Sequence, residues 1–437
     1  MNRSKTLLIL LALMAASGVA AETVAIVGGT VHTIGPQGTL ENATIVIEDG
    51  FVVMVGKAVK VPDGARTIDA SGKVVTPGLF SPIGNLGLVE VGLSAGPNDF
   101  AQRGDAFTAG FDVADAYNPR STLIAINRIE GITRAVIAPA PGRPAYGEET
   151  GDVGHVLSGL AAVVNLGDGS NFLERRAAAM VVNLGENGSE LAGGSRAGAM
   201  LTLRNALDEA IDYRDHKDDF ERGARRAYRH HVADLESLQG VLSGAIPLYA
   251  NVHRASDIEV LIQLVADYGL RAIINGGAEA WMLADQLAAA DIPVVLAPQD
   301  ILPGNFDRIN ARRESAAILA AAGVTITFAD DQSQTHNARN ITQSAGNAVA
   351  YGLSWDDALR AITLAPAEIF GVAGRVGSIE PGKEADIVIW PGDPLELTNF
   401  PEQVLIKGES ISMTSRQTLL RDRYLQTDAD KPPAFRK

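Results

Sequence analysis

The chain has 437 residues, 46% of them apolar, with 45 glycines and 20 prolines. It is long enough for one large domain and a smaller one, and too apolar to be disordered. A formal charge of −15 makes nucleic acid and anionic membrane surfaces poor partners. The absence of cysteine excludes a disulfide framework, a zinc–thiolate site and a lipid-bearing N-terminal cysteine, so only His, Asp, Glu or a modified Lys could hold a metal.

Residues 1–21 have the pattern of a secretory signal. Arg3 and Lys5 form a basic start, Leu7 to Met14 an apolar stretch, and Ala20-Ala21 closes a small-residue cleavage site. The stretch is shorter than the roughly 20 residues that span a bilayer. The expectation is an exported protein cleaved near Ala20-Ala21. A bacterial periplasm suits a secreted chain without disulfides.

Residues 22–76 are strand-like. Val24 to Val27, Thr44 to Glu48 and Phe51 to Val55 are apolar runs, the last two joined by Asp49-Gly50, a strong hairpin signal. Residues 77–370 alternate strand-like and helical runs. Strand-like stretches lie at Ile132 to Ile137, Ile246 to Ala250, Arg271 to Ile274, Pro293 to Leu296 and Val324 to Phe328. Helical spacing covers Ile258 to Tyr268, Ala278 to Ala290 and Arg312 to Ala322. Successive helix–strand pairs imply parallel strands with crossover helices. Residues 371–437 return to strand texture at Ala385 to Trp390 and Val404 to Ile411. The expected fold is α/β: a (β/α)8 TIM-like barrel over 77–370 and a small β-sandwich domain from 22–76 and 371–437. An open doubly wound sheet is the alternative, weakened by the lack of a glycine-rich phosphate loop. The basic cluster Arg222, Arg225, Arg226 and Arg229, beside Asp218, Asp219 and Glu221, is expected on a solvated helix face.

Gly28-Gly29-Thr30, Ile47-Glu48-Asp49-Gly50 and Ile68 to Leu79 resemble the entry to metal-dependent amidohydrolases, and Gly377 to Val388 resembles their exit. Gly185-Glu186-Asn187, His253 to Ile258, Gly277 to Ala280 and Pro366-Ala367 are similar to the imidazolonepropionase-like branch. The resemblance implies hydrolysis of non-peptide C–N bonds in cyclic amide-like substrates, with one or two divalent ions lowering the pKa of a bound water. It also implies a ligand set that this chain lacks. A His-x-His pair after the first barrel strand falls on Ile83 and Asn85. The first histidine of a His-x-His-Arg motif falls on Asn251, a sixth-strand histidine on Gly276, and a bridging lysine on Asn165. The proton-shuttling aspartate after the eighth strand matches Asp330, with Asp331 beside it.

Three further histidines and one arginine are pocket candidates. His253, with Arg254 beside it, and His336 follow barrel strands, and His155 lies in a glycine-rich loop placed to reach the barrel mouth. No HExxH motif is present. The expectation is therefore an exported, amidohydrolase-like protein without a bound metal. It would be non-catalytic, serving as a ligand-binding protein, as a partner subunit of an active paralogue, or as a homo-oligomer. The competing expectation is an active C–N hydrolase, with zinc or another divalent ion, rebuilt around Asp330, His253 and His336.

Overall fold

In a computed structural model, the residues described are 22–91, 96, 98–102, 104, 107–141, 155–299, 302–329 and 335–425. The signal-like segment 1–21 and Asp330 and Asp331 lie outside them. Among the described residues, no helix is long and apolar enough to cross a membrane.

The first five strands are β1 (Val24–His32), β2 (Thr39–Glu48), β3 (Phe51–Gly56), β4 (Arg66–Asp69) and β5 (Val74–Pro77). The barrel follows with β6 (Leu79–Ser81), β7 (Ile132–Ile137), β8 (Leu157–Asn165), β9 (Leu173–Asn183), β10 (Leu248–Val252), β11 (Ala272–Gly276), β12 (Val294–Leu296) and β13 (Ile326–Phe328). The chain returns through β14 (Ile387–Trp390), β15 (Gln403–Ile406) and β16 (Glu409–Ser410).

Strands from both chain ends share one sheet. β14 pairs antiparallel with β5, Ile387 opposite Pro77 and Trp390 opposite Val74. In that sheet β1 pairs on one side with β2 and on the other with β4 and then β5. The sheet curls until its ends meet. Ala385 donates its N–H to the Gly50 carbonyl at 2.8 Å, and a Cβ at Gly50 would lie 2.6 Å from the Lys407 carbonyl oxygen. Gly50 sits at φ +83°, where glycine is favoured, so the Asp49-Gly50 turn and this close approach need the same residue. Val24, Ile26, Ile45, Ile47, Ile387, Ile389 and Leu405 fill the interior of the curl.

The barrel strands run β6 to β13 in sheet order. Seven are mutually parallel, but β8 is antiparallel to both β7 and β9. The all-parallel expectation is corrected here. Residues 166–172 are too few for a helical crossover, which takes a dozen or more residues, so β8 and β9 return as a hairpin. The ring is nearly closed rather than an open sheet. Thr327 Oγ1 donates to the Ala361 carbonyl at 2.7 Å, and the Phe80 N–H to the Ile362 carbonyl at 2.9 Å, bridging β13 to β6 through the chain after helix Trp355–Ala361.

Phe80, Val136, Val163, Val181, Tyr249, Ile273 and Val295 fill the barrel interior with Phe370. Each such side chain is worth about 1.5–3 kcal/mol when fully buried. Side chains alternate along a strand, so residues two positions beyond this layer also point inward, one level nearer the mouth. The helices behind the strands are Ala255–Tyr268, Ala284–Ala289 and Ser315–Ala321. The first ends at Gly269, φ +65°, a left-handed cap. The expected helix 278–290 is split, its first turn being a 3-10 segment at Ala280–Leu283. The basic cluster is not on a helix face as expected. The helix stops at Glu221, Gly223 turns at φ +71°, and Arg222 and Arg225 leave the turn to pair with Asp219 and Asp212.

Candidate functional site: the barrel mouth

The inward level above the apolar layer consists of asparagines. Asn183, Asn251 and Asn275 follow Val181, Tyr249 and Ile273 by two residues, and strand register sets them side by side on β9, β10 and β11. Asn275 Nδ2 donates to Asn251 Oδ1 at 2.7 Å, and Asn251 Nδ2 donates to Asn183 Oδ1 at 2.8 Å. Asn183 Nδ2 continues to Ser158 Oγ on β8 at 2.8 Å. The result is a directed chain of neutral hydrogen bonds across four strands. Asn183 and Asn275 are buried, so breaking the chain would leave polar groups unpaired in a setting where that is costly.

Two expected positions move. Asn165 ends β8, which runs backwards, so it lies at the opposite end of the barrel, beside Arg134 on β7. There it donates to Glu174 Oε1 at 2.7 Å and to the Asn171 carbonyl at 2.8 Å. The mouth position next to Asn251 is Asn183 instead. Gly276 is opposite Val252, and the inward residue level with Asn251 is Asn275. Gly276 has another role: at φ +96°, its Cα lies under the His253 ring, and a Cβ there would come 2.2 Å from His253 Cε1. Beyond β6, Ile83 packs on the interior apolar cluster, and Asn85 Nδ2 donates to the Ala138 carbonyl at 2.8 Å.

His253 stands two residues above Asn251. Its Nε2 lies 3.1 Å from Arg308 Nη2. Guanidinium only donates, so Nε2 accepts and the neutral ring carries its proton on Nδ1. Burial, helped by the Arg308 charge and opposed by Asp307, lowers the His253 pKa to about 4. Arg308 is brought there by the loop that Asp307 anchors. Asp307 is buried, accepts the Glu186 N–H at 2.6 Å and pairs with Arg196, which also reaches Asp257 at 3.1 Å. Glu279 ties the same loop down, accepting from Asn310 Nδ2 and the Ala255 N–H, each at 2.9 Å.

The other candidates are placed separately. His155 Nε2 bonds the Gly104 carbonyl at 2.9 Å, and the His155 carbonyl accepts from Asn183 Nδ2 at 3.3 Å, so it borders the amide chain through its backbone. Arg254 is exposed at the N-cap of helix Ala255–Tyr268. His336 lies in the 3-10 segment Thr335–Asn340, which is held to helix Thr122–Arg128 through Asn127. Among the described residues no hydrogen bond joins His336 to His253, and no group of three or more His, Asp or Glu side chains could hold a metal ion. Asn183, Asn275 and Arg308 were not singled out by sequence, and Glu279 only as part of the Gly277 to Ala280 stretch. A signal for the first two exists: Val181-Val182-Asn183, Tyr249-Ala250-Asn251 and Ile273-Ile274-Asn275 each end an apolar strand on Asn.

Among the described residues, the donor set does not fit a catalytic divalent ion. Amide oxygens are neutral, weak ligands for zinc-like ions, and those of Asn183 and Asn251 accept from neighbouring amides. His253 has its one imidazole lone pair engaged by Arg308.

A family model described as the Amidohydrolase family matches residues 195–412. A curated protein named Amidohydrolase tasK, from Hapsidospora irregularis, is 24% identical over 387 residues, 83% of this chain and 39% of that protein. The chain thus spans about two fifths of that relative's length. An imidazolonepropionase from Acidiphilium cryptum is 33% identical over 99 residues, 22% of this chain and 25% of that protein. A crystal structure described as an amidohydrolase from Thermotoga maritima MSB8 superposes with a TM-score of 0.78 at 26% identity, covering 89% of this chain and 99% of that one.

Proposed function

We propose, from the premise that this chain belongs to the amidohydrolase superfamily, that it keeps the superfamily's barrel as a binding protein and does not hydrolyse C–N bonds through a metal-activated water. The asparagine chain at the mouth carries this reading. Metal activation needs neutral imidazoles and carboxylates converging on one point, with a position open for water. Where the ligand set should converge, β9, β10 and β11 present amides that bond to one another. Replacing most of a ligand set removes most of the free energy that holds the ion.

The competing reading, a hydrolase rebuilt around Asp330, His253 and His336, needs His253 as a base or ligand. Its accepting nitrogen is engaged by Arg308, and the other carries the proton. The proposal extends to an exported protein that binds a small molecule or serves as partner subunit to an active paralogue. The test is turnover: the purified chain, incubated with a panel of cyclic amides and imides with added zinc or manganese and again with a chelator, is expected to show no chelator-sensitive hydrolysis. Chelator-sensitive turnover of any of them would overturn the proposal.

A further inference from the structure

A small cavity of about 40 Å³ opens at the ends of β11 and β12, roofed by the start of helix Ser315–Ala321. Its walls are apolar, from residues such as Leu296 and Pro298. Its polar side chains among the described residues are His253, Ser315, Arg312 and Arg313, with no carboxylate or amide side chain among them. Ser315 is 8% exposed, and its Oγ has no partner. His253 Nδ1 is also buried without a partner. Because Arg308 donates to Nε2, Nδ1 carries the hydrogen. Two buried donors thus lack an acceptor, in side chains lining one cavity.

Buried groups of this kind are nearly always satisfied, by protein, water or ligand. Water alone would fit the volume. The charges favour something else. Arg312 pairs with Glu314 at 3.1 Å and stacks on Trp281, 4.7 Å from the ring centroid. Arg313 donates to Tyr351 Oη at 2.7 Å, and among the described residues it has no carboxylate partner. Two guanidiniums at the rim with two donors inside form a site complementary to negative oxygen and repellent to cations.

We propose that this cavity binds the carboxylate group of a small molecule, with His253 Nδ1–H and Ser315 Oγ–H donating to its oxygens and Arg313 compensating its charge. The inference deepens the proposed function and rests on its claim that the mouth is a binding site. Gly276 is part of the design, since any larger residue would push the His253 ring out of place.

The experiment titrates the full chain, labelled with nitrogen-15, with sodium formate and sodium acetate against chloride at constant ionic strength. The His253 ring nitrogens report the tautomer and the ligand together. Expected are a proton on Nδ1, a saturable shift of that signal with formate or acetate but not chloride, and binding about tenfold or more weaker in Ser315→Ala. Arg313→Gln, on the exposed rim, should weaken binding without moving the tautomer. An Nε2–H tautomer, the same response to chloride, or no saturable response up to about 100 mM carboxylate would overturn the proposal. Carboxylate binding alongside chelator-sensitive turnover would refute the proposed function and leave this inference standing. Neither binding nor turnover would do the reverse.

Discussion

The two ends of the barrel hold their polar groups in opposite ways. At the N-terminal end, Arg134 is 1% exposed and lies 2.5 Å from Glu384 and 2.8 Å from Asp386. Arg375 and Lys407 join the same carboxylates and Glu174, and Asn165 closes the group. At the C-terminal end, the corresponding layer is the neutral chain Asn183–Asn251–Asn275. In barrels of this kind the C-terminal face carries chemistry and the N-terminal face stability. Here the stabilising end holds a buried ion cluster, to which the exit motif supplies Glu384 and Asp386, while the inward layer of β9, β10 and β11 at the chemical end is made of amides. The comparison teaches that the entry and exit motifs report on how the barrel is held to its β domain. They say nothing about whether its mouth still performs hydrolysis.

The sharpest way to break the comparison is to remove the buried cation. Arg134→Met takes the buried cation from Asp386 and leaves Glu384 with Arg375, and should cost about 3–5 kcal/mol in urea unfolding. A loss under about 1 kcal/mol would show that the group is not a structural clamp.

At the mouth the effect should be smaller and have a different form. Asn251→Leu strands the Asn183 acceptor and the Asn275 donor, and should cost about 1–3 kcal/mol. Replacing Asn183, Asn251 and Asn275 together by Leu removes the groups stranded between the amides and leaves only the acceptors of Asn183, such as Ser158 Oγ. It should therefore cost clearly less than the three single losses summed, as measured by a mutant cycle. Simple additivity would mean that the three amides do not act as one chain.

The smallest effect is on pH dependence. Burial raises the Asp386 carboxyl to about 6, with Arg134 and the Lys407 N–H opposing. Its folded pKa lies above the ordinary aspartate value of 3.8, so its contribution to stability is full below that value and is lost as pH rises through about 6. Glu174 runs the other way: burial alone would raise it, but Lys407, Arg134 and Asn165 together hold it below the usual range. Asp386→Asn should therefore lose stability relative to the parent chain as pH falls from about 6 toward 4, the Glu174 contribution being common to both. A stability difference independent of pH across that window would place the Asp386 titration elsewhere.

Much of this was legible in the sequence. The Asp49-Gly50 hairpin, the return at Ala385 to Trp390 and the barrel strands at Ile132, Arg271, Pro293 and Val324 lie where apolar period and turn residues set them. The β8–β9 hairpin was not legible. Glu174-Arg175-Arg176-Ala177-Ala178-Ala179 is composed of good helix formers, and local propensity gave way to burial between β8 and β10. The resemblance places Asn165 among the ligand positions, but β8 runs backwards, and Asn183, at the end of the following strand, holds the mouth position instead. Asn275 was missed by one residue, because strand register, not spacing to Gly277, decides which side chain faces Asn251. The contact of Arg308 with His253 spans a loop and a barrel strand, and no sequence pattern announces it.

The central claim, that the barrel mouth is built to bond to itself and not to a metal, is tested most directly by counting metal. The purified full chain is equilibrated with excess zinc, and separately manganese, then passed through a desalting column and analysed by elemental mass spectrometry. The account predicts well under one ion per chain, unchanged in Asn251→Leu. One or two ions per chain, retained through desalting and lost in Asn251→Leu, would contradict it.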